Sequence, residues 1–254
     1  MDISVQDFFK SMRLDNPPSF SDYERITPCV IQFANALSQV TYNSVYLIDY
    51  YKQGFLYVFD NPLFLCGKTA KQVQQAGYLF YFKNVPDEDV KLLLKINQVG
   101  FTFYKNLALE DRLNYSISYD FRLKHSNGRL FPINHKLVPL VLDNAGGIWI
   151  ALCIVSASSN AKPGSIFIKS AVENKLLEYD MATDKWNEFE VTKLNIQEKQ
   201  VLLLSVQGLT VEKIAEKLFL SKDTIKFYRK NLLKKLNASN ISEAIITAEN
   251  FGII

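Results

Sequence analysis

"LSKDTIKFYRKNLLKKL", residues 220–236, carries two stripes when wound as a helix of 3.6 residues per turn. Ile225, Tyr228, Leu232 and Leu236 recur at spacings of three, four and four, which marks a core-facing stripe. Lys226, Phe227, Lys230 and Lys234 turn the other way. Between residues 221 and 236 stand six Lys and Arg against one acid. Ser221 is placed to cap this helix, and Asn237 tolerates the left-handed stop that glycine usually fills.

The neighbours complete a unit. Asn195 and Glu198 have capping-box spacing ahead of "IQEKQVLLLSVQ", and Gly208 follows as a helix stop. Thr210 caps a short helix, "VEKIAEKL", whose inward side is Ile214, Ala215 and Leu218. "FL" forms a turn, and after Asn240 and Ile241 comes a fourth helix, "SEAIITAENF". A short helix, a tight turn and a longer basic helix are the parts of a helix-turn-helix. Its second helix enters the DNA major groove, and its N-terminal half meets base edges. Basic side chains there neutralise phosphates.

The run from Leu194 to about Ile245 resembles the LuxR/GerE-type DNA-binding domain. The matching pieces are "E-x-x-V-L", "G-L-T-x-x-x-I-A-E-K-L-F-L-S", and "T-I-K" leading into "L-x-K-L". The resemblance implies four helices with residues 221–236 as the recognition helix. It implies Lys226, Phe227 and Lys230 at base edges, and Ser221, Thr224 and Arg229 near phosphates, with Lys234 on the same basic face. It also implies a dimer contact on the last helix, with Ile245, Ile246 and Ala248 as candidates. Ile196, Tyr228 and Asn237 depart from the family's usual Pro, His and Gly. Tyr228 lies on the inward stripe, so it bears on packing, whereas Phe227 favours apolar contact such as a thymine methyl.

Charge agrees with this placement. From Leu194 onward there are nine Lys and Arg against six Asp and Glu, while residues 1–193 hold twenty of each. The net charge of +3 therefore resides in the last quarter of the chain. Cys29, Cys66 and Cys153 are scattered and odd in number, which argues against a disulfide framework and for a reducing cytosol. "MDISVQDFFK" lacks the basic start and apolar run of a signal peptide, so a cytoplasmic protein is expected. The apolar stretch "IWIALCIV" (148–155) is far too short for a membrane span and reads as a buried strand.

The remainder reads as α+β. Helices are expected over 2–13 and about 22–40, separated by Pro17 and Pro18. Strands over 44–50 and 55–60 follow, then helices through 61–116. In 117–124, Ile117, Tyr119, Phe121 and Leu123 alternate with Ser118, Asp120, Arg122 and Lys124, the pattern of a half-buried strand. Asn127-Gly128 is a hairpin turn; the return strand, 130–142, contains Pro132 and Pro139, which imply an edge or bulges. Residues 148–155 close the set. This order resembles a PAS domain, which implies a five-stranded antiparallel sheet with helices on one face. "SIFIKS" and a hairpin around "MATD" make 161–193 a β-rich connector. The expected division is thus 1–40, 41–160, 161–193 and 194–254.

The resemblance also implies a small-molecule pocket or a dimer surface. Phe64, Leu65, Phe80, Phe82, Phe101, Phe103, Tyr119 and Phe121 would wall such a pocket, or else simply fill the core. Cys66, in "NPLFLCGK", does not match the reactive cysteine motif of flavin-photoadduct PAS domains and reads as a buried thiol. His125 and His135 do not sit where a haem ligand is expected. No cofactor, metal site, phosphate-binding loop or nucleophile with a base is found, so no enzyme is expected. The expected partners are double-stranded DNA, a second copy, RNA polymerase, and a ligand of unspecified identity, with no membrane. The rival reading is a protein-interaction module for which DNA contact is secondary.

Overall fold

A computed structural model describes residues 3–12, 16–158, 160, 163–173, 175–188 and 193–254. The chain divides into two compact units, Met1–Phe189 and Glu190–Ile254.

In the first unit, a 3-10 turn (Val5–Phe8) stands where a helix over 2–13 was expected, and residues 2 and 13 lie outside the described residues. Phe8 and Phe9 both enter the core. Helix α1 (Phe20–Val40) opens with a capping box between Ser19 and Asp22. Strands β1 (Ser44–Asp49) and β2 (Gly54–Val58) form the first hairpin. Four helices follow: α2 (Pro62–Leu65), α3 (Ala70–Ala76), α4 (Leu79–Asn84) and α5 (Asp87–Lys105). Three acids in the first turn of α5 face the positive end of its dipole. Then come β3 (Tyr115–Lys124), β4 (Leu130–Leu142) and β5 (Ile148–Ala157). The Asn127-Gly128 turn joins the first two, with Gly128 at φ +80°.

Strands β2-β1-β5-β4-β3 make the antiparallel sheet of the PAS-like fold, with helices α2–α5 over one face. Ile117, Tyr119, Phe121 and Leu123 all face that core. The other face of β1 and β5 is covered by α1, through Val30 and Ala34 against Val45, Leu47, Trp149 and Leu152. Cover on both faces explains why every residue of β1 is buried. Strand β4 is interior, and the register shift follows Pro139, so its proline is accommodated by a bulge.

The sheet does not stop at five strands. Strands β6 (Gly164–Ser170), β7 (Leu176–Asp180) and β8 (Lys185–Glu188) continue it in the order β3-β6-β7-β8. The segment expected as a separate connector is therefore, over 164–188, part of the first unit's sheet. The open edge of β3 supplies the pairing groups that β6 takes up. The expected ends of that segment, at 161–162 and 189–192, lie outside the described residues.

The second unit consists of α6 (Ile196–Val206), α7 (Val211–Leu218), α8 (Lys222–Lys235) and α9 (Ile241–Phe251). Val201, Leu202, Ile214, Ile225, Leu232, Ala244 and Ala248 form its core with no exposed surface.

Candidate nucleic-acid interface

Helix α8 starts where Ser221 Oγ accepts from Thr224 N at 3.1 Å. Its two hydroxyls, Ser221 and Thr224, lie 2.8 Å apart. Ile225, Leu232 and Leu236 are buried against α6 and α7, and half-buried Tyr228 packs beside them. Beyond the helix, Asn237 takes φ +49°, the left-handed stop expected of it. Seating that stripe turns Lys226, Phe227, Lys230 and Lys234 to solvent together. Phe227 is 59% exposed, its ring 5.8 Å from that of Tyr228. Thr224 and Arg229 are half-buried at the margins.

Lys226 pairs with Asp223 at 3.4 Å and Lys222 with Glu212 at 3.5 Å. Such exposed pairs are worth about 0–1 kcal/mol, so a phosphate readily replaces the acid. Lys230 and Lys234 have no acidic partner among the described residues. Lys222 was absent from the sequence-expected set; its spacing four residues before Lys226 is the signal that would have found it. Lys235 belongs elsewhere. Its ammonium donates to Glu198 at 2.8 Å and to the Lys193 carbonyl at 3.2 Å. Glu198, 2% exposed, also accepts from the Asn195 amide, so Lys235 clamps α8 to the cap of α6.

Ala248 differs from its expected place. It lies wholly inside the second core, where its small side chain permits close packing, and it offers no surface for a dimer. Ile245 is half-buried against the same core, and Ile246 is half-buried.

The expected pocket residues of the first unit do not converge on one space. Phe64 stacks on Tyr46 at 4.5 Å and meets Phe80 at 4.9 Å. Phe82 rests on Phe8 at 5.7 Å, and Phe103 on Trp186 at 5.6 Å. Phe121 lies against Tyr81 at 6.3 Å, and Leu65 is buried in the same core. Phe101 and Tyr119 reach a cavity of about 20 Å³, room for about one water. Tyr50, Asn97, Gly100 and Ile117 also line it. An outer pocket of about 290 Å³ shares Phe101, Tyr104 and Ile148 with this cavity.

His135 is interior. Its Nε2 meets the Tyr46 hydroxyl at 2.5 Å, and that hydroxyl meets Tyr81 at 2.6 Å. Its Nδ1 has no hydrogen-bond partner among the described residues. Burial lowers its pKa to about 3, so the imidazole is neutral at physiological pH. His125 is half-buried beside Phe131. Burial pushes the Cys66 thiol up to about 11 and the Cys153 thiol higher still, which makes both poor nucleophiles.

A capped, amphipathic basic helix set behind a shorter one by a tight turn defines a helix-turn-helix domain. Residues 192–248 match the family model of the bacterial regulatory proteins of the luxR family, and this segment is a domain of that family. The HTH-type transcriptional regulator MalT of Vibrio parahaemolyticus is 37% identical over 169 residues, 65% of this chain and 16% of that protein. This chain thus spans about a sixth of that relative's length. The Vibrio cholerae VqmA dimer, a LuxR-type receptor, is 16% identical with 87% of each chain covered and a TM-score of 0.35. A PAS domain from Colwellia psychrerythraea is 15% identical over 51% of this chain and 96% of its own, with a TM-score of 0.37. No helix among the described residues is long and apolar enough to cross a membrane.

Proposed function

We propose that the chain is a sequence-specific, DNA-binding regulator of transcription. Helix α8 lies in the major groove, and the PAS-like unit senses a small molecule or brings two copies together. The observation that carries this is the outward convergence of Lys226, Phe227, Lys230 and Lys234 on a helix whose opposite stripe is buried. Lys226, Phe227 and Lys230 meet base edges; Ser221, Thr224, Lys222, Arg229 and Lys234 approach phosphates. Two copies read two half-sites about one helical turn apart. The protein works in the cytoplasm, where RNA polymerase is a further partner.

The test is the double variant Lys226→Ala, Lys230→Ala, titrated with operator-length DNA over a salt series. Affinity falls on the order of tenfold or more, and the slope of log affinity against log salt shrinks by about 1–2. Unchanged affinity and slope would sink the assignment.

A further inference from the structure

Lys235, the last residue of α8, stands outside the basic stripe. Nine residues separate it from Lys226, which is two and a half helical turns, so the two side chains leave α8 on opposite sides. Lys226 is in solvent. The Lys235 ammonium instead reaches Glu198 Oε2 at 2.8 Å and the Lys193 carbonyl at 3.2 Å. The same carboxylate oxygen accepts the Asn195 amide at 2.8 Å, and Glu198 is buried. One ammonium thus fastens the end of α8 to the capping box of α6 and to the chain two residues ahead of the cap.

We infer that Lys235 is a positioning residue for base reading. It touches no DNA; it sets the rotation of α8 about its own axis, and so governs sequence preference while leaving phosphate attraction intact. This rests on the reading of α8 as the helix in the groove. Ile225, Leu232 and Leu236 hold α8 against the core, but hydrophobic contact has no preferred direction. A second ion pair from α8, Lys222 to Glu212, is 3.5 Å long with both side chains more than half exposed, so it holds the helix weakly. The bond to buried Glu198 is short, charge-assisted and directional. A helix with its side chains has a radius of about 5–6 Å, so a rotation of about 20° carries an outward side chain by roughly 2 Å. A hydrogen bond to a base edge does not survive that shift. A phosphate contact made by a flexible lysine does.

The test uses the full chain and two duplexes of equal length: one that wild type selects from a randomised pool, and a shuffled version of it. Lys235→Met keeps much of the aliphatic stem and removes the ammonium. The ratio of affinities for the two duplexes falls by at least about tenfold, while affinity for the shuffled duplex and its salt slope hold. A buried carboxylate left without its partner also lowers stability, so the double variant Glu198→Gln, Lys235→Met is measured beside it. Glutamine still completes the capping box, and the double variant regains the urea midpoint of the helical signal without regaining discrimination. If Lys235→Met does not fold, the double variant carries the comparison. Discrimination that returns together with stability, or an equal loss of affinity for both duplexes, shows a merely structural role and overturns the inference. If wild type enriches a site and both variants discriminate as it does, this inference alone fails. If wild type enriches no sequence, the groove reading fails and this inference falls with it.

Discussion

Among the described residues His135 makes one hydrogen bond, to Tyr46, inside a shell that includes Tyr119 at 4.8 Å and Phe121 at 6.1 Å between ring centres. Its folded pKa of about 3 lies below its ordinary 6.5. The unfolded chain therefore takes up a proton as pH falls below 6.5, while the folded chain refuses it until about 3. The stability that follows is complete above 6.5 and is lost as pH falls through this window, by about 1.4 kcal/mol per pH unit. Asp49 and Asp120, raised by burial, contribute with the opposite sign, so the comparison must be with a variant. In urea titrations from pH 6.5 to 5, wild type loses more stability than His135→Gln; parallel losses would show that His135 is not the source. A lone histidine between two prolines gave no sign of this in the sequence. Its partner Tyr46 lies 89 positions upstream, and only the folded sheet brings the two together.

At the scale of elements, α6 to α9 were legible because each carries its own punctuation. Asn195, Thr210, Ser221 and Asn240 each cap the helix that follows, a signal contained within four residues. The outward face of α8 was legible for the same reason, as periodicity alone sorts Lys226 from Ile225. What failed were assignments that depend on a second element. Alanine suits a core or a seam equally, and nothing near Ala248 says that α9 turns it inward. Lys235 looked like one more basic residue because its acid, Glu198, is 37 positions away. Helix α7 ends in an unusual way: Phe219 takes φ +55° and is 94% exposed. A left-handed non-glycine residue is strained, and here no buried contact offsets the cost. Phe219→Gly should stabilise the second unit by about 0.5–1 kcal/mol, seen as a higher urea midpoint of the helical signal. A lower midpoint would mean that the ring makes contacts beyond those seen here.

Across the whole first unit, the hairpins were readable but their attachment was not. Asn127-Gly128 and the "MATD" turn announce paired strands, yet a strand's sequence does not say which open edge it will join. The attachment to β3 becomes intelligible once Ile166 and Ile168 are seen entering the same core as Ile117. The β7–β8 hairpin then folds against α5. Trp186 meets Phe103 at 5.6 Å and Tyr179 at 4.9 Å, and Lys95 pairs with Asp184 at 2.8 Å. Trp186→Ala should release this end of the sheet alone. Amide exchange in β7 rises by about 10–100-fold while β1 and β5 keep their protection, as local opening without global unfolding requires. Equal acceleration in all strands would show instead that the eight strands open as one.

Helix α5 has different neighbours on its two sides. Ile96, Asn97, Gly100, Phe101 and Tyr104 wall the inner cavity, while Lys95 and Phe103 hold the hairpin. A helix is stiff along its axis, so these two sets of residues cannot move independently. One end of this rod's contacts lies on the cavity wall and the other on an indole. The indole of Trp186, in contact with Phe103, therefore shares in any displacement of α5.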